Sequence, residues 1–79
     1  MNVSEELIVF IKSNLVDESV TVTADTPFEK LGLDSFSIIE IILFIERKFG
    51  LTLPDKELTK TNLFSVATLA GCVQNHLKV

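Results

Sequence analysis

The chain is poor in metal-binding and disulfide-forming residues, with one cysteine and one histidine in 79 residues. That excludes a disulfide framework and any ordinary Cys/His zinc site, so no metal centre is expected. Cys72 falls within the apolar pattern of the last helical segment, where a buried, reduced thiol is expected. Positive charge is also scarce: seven Lys and Arg face eleven Asp and Glu, for a net charge of −4. Nucleic acid phosphates are gripped by clustered bases, so nucleic acid is not the expected partner, whereas basic protein surfaces suit this balance. Long apolar runs are missing. None exceeds five residues, the length of Ile41 to Ile45, against about 20 for a membrane-spanning helix, so no membrane insertion is expected. The opening Met1-Asn2-Val3-Ser4-Glu5-Glu6 lacks the basic start of a secretory signal, which sets a cytoplasmic expectation. Internal repeats and low-complexity segments are absent.

What is present is apolar stock for one small core: 47% of residues are hydrophobic, six of them Phe. Residues 1–79 read as a single domain, near the lower size at which one core suffices. Three helical segments stand out. The first runs from about Val3 to Leu15, with Asn2 and Glu5 placed as N-cap and capping-box partner, and Val3, Leu7, Phe10, Ile11 and Leu15 facing inward. The second runs from Phe36 to Phe49. The third begins near Ser65, its expected N-cap, and ends near Leu77, with Val66, Leu69, Ala70, Val73 and Leu77 on its inner face. Pro54 suits a first helical position, which predicts a short helix over Asp55 to Leu58. The expected fold is all-α: a small four-helix bundle of three long helices and one short one, with a long loop between helices one and two. Within that loop, Val16 to Leu33, the stretch Val20-Thr21-Val22-Thr23 alternates like a strand. No second strand is there to pair with it, so it reads as ordered loop, pinned by Phe28, Leu31 and Leu33.

The stretch Leu31-Gly32-Leu33-Asp34-Ser35 carries the chemistry. It places a serine at the first turn of a helix, where unpaired N–H groups and the positive dipole end favour an attached anion such as a phosphate ester. A capping role competes with this, because Asp34, Ser35 and Ser37 are all N-cap types and Ser37-x-x-Glu40 fits a capping box. The second helix holds more apolar residues than one buried stripe needs. At about 100° per residue, Ile38, Ile41, Ile42, Ile45 and Phe49 fall on one side, assigned to the core. Phe36, Ile39 and Leu43 lie on another, near the direction of Ser35, edged by Glu40, Glu46 and Arg47. That strip is either a docking surface or a second buried face. Phe44 fits neither side.

The run Phe28-Glu29-Lys30-Leu31-Gly32-Leu33-Asp34-Ser35-Phe36, the Ile/Leu-rich helix after it and Phe49-Gly50-Leu51-Thr52-Leu53-Pro54 resemble the acyl carrier proteins over nearly the whole chain. The resemblance implies that Ser35 carries 4′-phosphopantetheine, transferred from coenzyme A by a phosphopantetheinyl transferase that supplies the Mg²⁺. It further implies that acyl intermediates ride on the arm as thioesters and that the carrier is not itself an enzyme. Asp34 then seats the loop or engages the transferase, and no residue is catalytic. Phe36 replaces the usual Leu of the motif. By the same mapping Phe36, Ile39, Glu40, Leu43 and Arg47 face partner enzymes such as a ketosynthase or an acyl ligase. This helix is less acidic than in carriers of primary fatty acid synthesis, which suggests a specialised fatty acid, polyketide or related pathway. A monomer is expected.

Three other readings compete. A peptidyl or aminoacyl carrier, including the D-alanyl type, shares fold and serine. A serine hydrolase would use Ser35 with His76 as base, but no Gly-x-Ser-x-Gly elbow or parallel sheet presents the serine. His76 reads instead as a solvated residue or a cation at a helix C-terminus. An interaction module without cofactor would need Ser35 only as a cap.

Overall fold

The computed structural model describes residues 2–77; positions 1, 78 and 79 of the expected 1–79 domain lie outside the described residues. Three α-helices form: α1 (Val3–Asn14), α2 (Ser35–Phe49) and α3 (Val66–Leu77). Among the described residues there is no strand, so the Val20–Thr23 alternation builds no ladder. The expected fourth helix is a single 3-10 turn, Asp55–Glu57, and a second such turn, Phe28–Leu31, sits in the long loop. The segment behind Pro54 is too short to close more than one turn before the backbone leaves helical geometry at Leu58, with ψ 61°.

Each helix starts where a side chain takes up a free N–H group. Asn2 accepts the Glu5 N–H at 3.2 Å and opens α1. At α3 the exchange is reciprocal: Thr68 Oγ1 accepts the Ser65 N–H at 3.0 Å, and Ser65 Oγ accepts the Thr68 N–H at 3.4 Å. The cap of α2 corrects the sequence reading. Asp34, extended at φ −93° and ψ −176°, accepts the Ser37 N–H at 2.9 Å. Ser37 is therefore already the third helical residue, and the Ser37-x-x-Glu40 box does not form. Gly50 closes α2 at φ 65°, a left-handed geometry in which a side chain would be strained.

α1 packs against both α2 and α3. Val3, Leu7 and Ile11 of α1 meet Ile41 and Ile45 of α2 and Val66, Leu69, Ala70 and Val73 of α3 in one core, all nearly or fully buried. Six expected inner positions differ. Phe10, Leu15, Ile38, Ile42 and Phe49 are only half-buried, and Leu77, the last residue of α3, is exposed. Phe44 finds its place in a stack on Phe10, with ring centroids 4.4 Å apart.

The long loop is fastened to the start of α3 by backbone. The Phe28 N–H donates to the Phe64 carbonyl at 2.8 Å and the Ala67 N–H to the Ala24 carbonyl at 2.8 Å, beside a lone bridge between Pro27 and Ser65. Val22 and Phe28 are buried, and Leu31 and Leu33 pack half-buried against the core. These bonds satisfy polar groups that burial would otherwise leave costly. They fix the path of the chain as it arrives at Asp34.

Candidate functional site

The approach to Ser35 is set by its own short-range bonds. Gly32 takes φ 72°, its N–H donating to the Glu29 carbonyl at 3.2 Å, and the Leu33 N–H reaches back to the Phe28 carbonyl at 3.3 Å. The turn swings the chain outward, so that Asp34 and Ser35 are both exposed. Asp34 spends its carboxylate on the Ser37 N–H. That bond, chiefly through the backbone, holds its carboxyl below the usual carboxylate value of 3.8. Ser35 is the first residue of α2. The N–H groups of Ser35 and Phe36 precede any intrahelical acceptor, so the Ser35 hydroxyl stands at a positive helix end facing solvent.

Beside it runs a groove of about 380 Å³, lined by Leu33, Asp34, Ser35, Ile38, Ile39, Ile42, Leu58 and Leu63. Its polar rim is Asp34 and Ser35, and the rest is aliphatic. Ile42, assigned to the core from the helical wheel, is half-buried in this groove instead. The wheel gives its direction, but the segment after Pro54 only partly covers it. The opposite wall, Leu58 and Leu63, was not anticipated at all, since nothing local in the sequence says that this segment returns to α2.

Phe36, Ile39 and Leu43 are 69%, 53% and 47% exposed, so α2 is not buried all round. Ile39 joins Ser35 at the groove. Glu40, Leu43 and Arg47 share a separate hollow of about 320 Å³ with Phe10 and Asn14 of α1. Phe36 lines neither and stands alone at the helix start. Phe64, 52% exposed, adds an apolar side chain that the sequence reading did not single out. It lines a further hollow with Glu29, Leu58, Lys60 and Leu63.

Of the two sequence readings of His76, the place at a helix C-terminus holds, in the last turn of α3, and full solvation does not. The residue is half-buried, its Nε2 3.4 Å from Glu57 Oε1, and it does not line the groove at Ser35. Cys72 is a free, buried thiol as expected. Burial pushes its pKa up, with the Glu57 charge acting in the same direction. Among the described residues no helix is long and apolar enough to cross a membrane.

An exposed hydroxyl on a positive helix end, with an apolar groove leading away, fits a phosphodiester-linked arm in its charge and in its space. Comparison with known proteins points the same way. Residues 11–75 match the family model described as "Phosphopantetheine attachment site". An acyl carrier protein of Rickettsia bellii (strain RML369-C) is 34% identical over 76 residues, covering 95% of this chain and 86% of the relative. The anthracycline acyl carrier protein DauA of Streptomyces sp. (strain C5) is 38% identical over 58 residues, covering 70% of this chain and 69% of the relative. In three dimensions the chain resembles one in the crystal structure of a Bradyrhizobium japonicum glycine:[carrier protein] ligase complexed with its cognate carrier protein and an analogue of glycyl adenylate. That likeness has a TM-score of 0.75 at 26% identity, over 91% of each chain. The chain belongs to the phosphopantetheine-binding carrier proteins, the family of the acyl carrier proteins, and its cofactor is 4′-phosphopantetheine.

Proposed function

We propose that Ser35 is the attachment residue and that this chain carries acyl intermediates for a fatty acid, polyketide or related specialised pathway. The observation that carries the reading is the placement of Ser35: an exposed hydroxyl at the first residue of α2, on the rim of an aliphatic groove. When bound, the arm supplies a terminal thiol that holds cargo as a thioester. The protein's own residues do the rest. The Ser35 hydroxyl is the acceptor in a transfer from coenzyme A catalysed by a separate transferase. Its oxygen bonds to the phosphorus next to the pantetheine, the pyrophosphate P–O bond breaks, adenosine 3′,5′-bisphosphate leaves, and the hydroxyl proton passes to a base of the transferase or to solvent. The first-turn N–H groups of α2 favour the resulting phosphodiester. Asp34 is committed to the Ser37 N–H, so its role is to hold the loop and cap in the geometry that presents Ser35. None of these groups needs to act as an acid or base, and the carrier is non-catalytic in this account.

Phe36, Ile39 and Leu43, bordered by Glu40 and Arg47, form the surface we assign to partner enzymes, among them the transferase and a ketosynthase or acyl ligase. Exposed apolar area rimmed by both signs of charge suits a transient contact that must release after each transfer. We assign a cytoplasmic, monomeric carrier. A second reading has one specific observation in its favour: the likeness to the chain found with a glycine:[carrier protein] ligase supports an aminoacyl or peptidyl cargo.

Incubation with coenzyme A and a broad-specificity phosphopantetheinyl transferase, followed by intact-mass measurement, tests the attachment. One phosphopantetheine is expected on the wild type and none on Ser35→Ala. Equal gain on both would place the arm elsewhere. The mass of cargo on protein loaded in its own cells distinguishes a fatty or polyketide chain from an amino acid.

A further inference from the structure

Away from Ser35, one turn of α3 and the Asp55–Glu57 turn bring together three side chains of metal-binding type. Cys72 and His76 are spaced i, i+4 on one face of α3, and Glu57 reaches them from the turn. One ligand atom from each, a thiol sulfur, a ring nitrogen and a carboxylate oxygen, lies within 4.8 Å of the other two. We propose that Glu57, Cys72 and His76 bind one divalent transition-metal ion of the Zn²⁺ or Co²⁺ class, with water completing the coordination.

The geometry needs little change. Bonds of about 2.0–2.3 Å at tetrahedral angles separate neighbouring ligand atoms by about 3.3–3.8 Å. The Glu57 Oε1 to His76 Nε2 distance is already 3.4 Å, and with all three ligand atoms within 4.8 Å of one another, Cys72 Sγ has at most about 1–1.5 Å to close. Glu57 is held from behind as well. Asn62 Nδ2 donates to the Glu57 carbonyl at 2.7 Å and to Glu57 Oε2 at 3.4 Å, leaving Oε1 turned to the cluster. Such outer contacts orient metal ligands. An entry path is present: a hollow of about 300 Å³ lined by Glu57, Asn62, Gly71 and Cys72 among others, with open space where a side chain at Gly71 would stand.

Charge decides between a metal ligand and a nucleophile. A reactive cysteine sits in positive surroundings, whereas Cys72 is buried beside the Glu57 carboxylate. A dication reverses that conflict. On binding, the Cys72 S–H bond breaks, its proton passes to solvent and an Sγ–metal bond forms, with no change of oxidation state. Thiolate and carboxylate then neutralise the ion, and a half-buried cluster is left without net charge. The ion would tie α3 to the turn that precedes Leu58, one wall of the groove beside Ser35.

The test uses the full chain without its arm, so that no second thiol competes, in a thiol-free reductant. Co²⁺ titration should saturate at one equivalent with a thiolate-to-cobalt charge-transfer band, and Zn²⁺ should displace it. Cys72→Ser should remove the band. His76→Gln and Glu57→Gln, at half-buried positions that leave the core intact, should each weaken binding by about 10-fold or more, a scale reached even by loss of outer-shell partners. Circular dichroism checks that each variant keeps its helices. Absence of a band in the wild type, or a titration unchanged by both His76→Gln and Glu57→Gln, overturns the proposal.

Discussion

Asp34 shows how one side chain sets both a helix boundary and a site. Its carboxylate accepts the Ser37 N–H, starts α2 one residue later and so fixes Ser35 at the first helical position. Because that bond lowers the folded-state pKa below 3.8, the unfolded chain binds the proton more readily than the folded one. The contribution of Asp34 to stability is therefore whole above about 3.9, the unfolded value, and is lost as the pH falls through the lower folded value. Urea unfolding of wild type and Asp34→Ala should differ at neutral pH and converge as the solution is acidified. A difference that stays constant down the acid range would mean that the carboxylate charge plays no part in the cap. The aspartate at this position was legible in the sequence as a cap type. The competing serine box was wrong because only one residue can hold the extended geometry ahead of the first turn, and the loop bonds from Gly32 and Leu33 deliver Asp34 there.

At the scale of elements, the helices were legible from period and punctuation. Val3, Leu7 and Ile11, or Ile41 and Ile45, repeat at helical spacing, and Asn2 and Ser65 mark helix starts with a physical reason for each. What periodicity cannot supply is which half-covered face a distant segment returns to. Ile42 points in a core direction yet lines a groove, because Leu58 and Leu63 close over it only partly. Cys72 and His76 share a helix face that the sequence shows, but Glu57 joins them through tertiary packing of a turn 15 or more residues earlier. The outward side of α2 yields its own prediction. Glu40 and Arg47 edge one hollow with Leu43, and charges at a contact rim act mainly on encounter. Charge reversal at both positions should change the association rate with a partner enzyme, and its salt dependence, far more than the dissociation rate. Stopped-flow measurement with the transferase is the direct check. Unaltered association would remove this face from the docking surface.

Taken as a whole, the molecule spends most of its apolar residues on one small core while leaving Phe36, Ile39 and Leu43 outside it. A chain of 79 residues has a stability of about 4–12 kcal/mol at the usual per-residue values. Truncating one fully buried side chain is therefore severe: Ile45→Ala, at a position with no exposure, should cost about 2–5 kcal/mol. Ile39→Ala, removing an exposed side chain, should leave stability nearly unchanged. Paired denaturant melts would show it, and equal losses would mean that the two faces of α2 are not divided between core and partner.

The central claim is that Ser35 carries a loaded arm. Its most direct measurement is the intact mass of the protein isolated from its own cells, wild type beside Ser35→Ala, before and after hydroxylamine. The account predicts one phosphopantetheine plus cargo on the wild type, with hydroxylamine releasing the cargo and leaving the arm, and an unmodified mass for Ser35→Ala. A wild-type mass equal to the bare chain, or an arm that survives on Ser35→Ala, would contradict it.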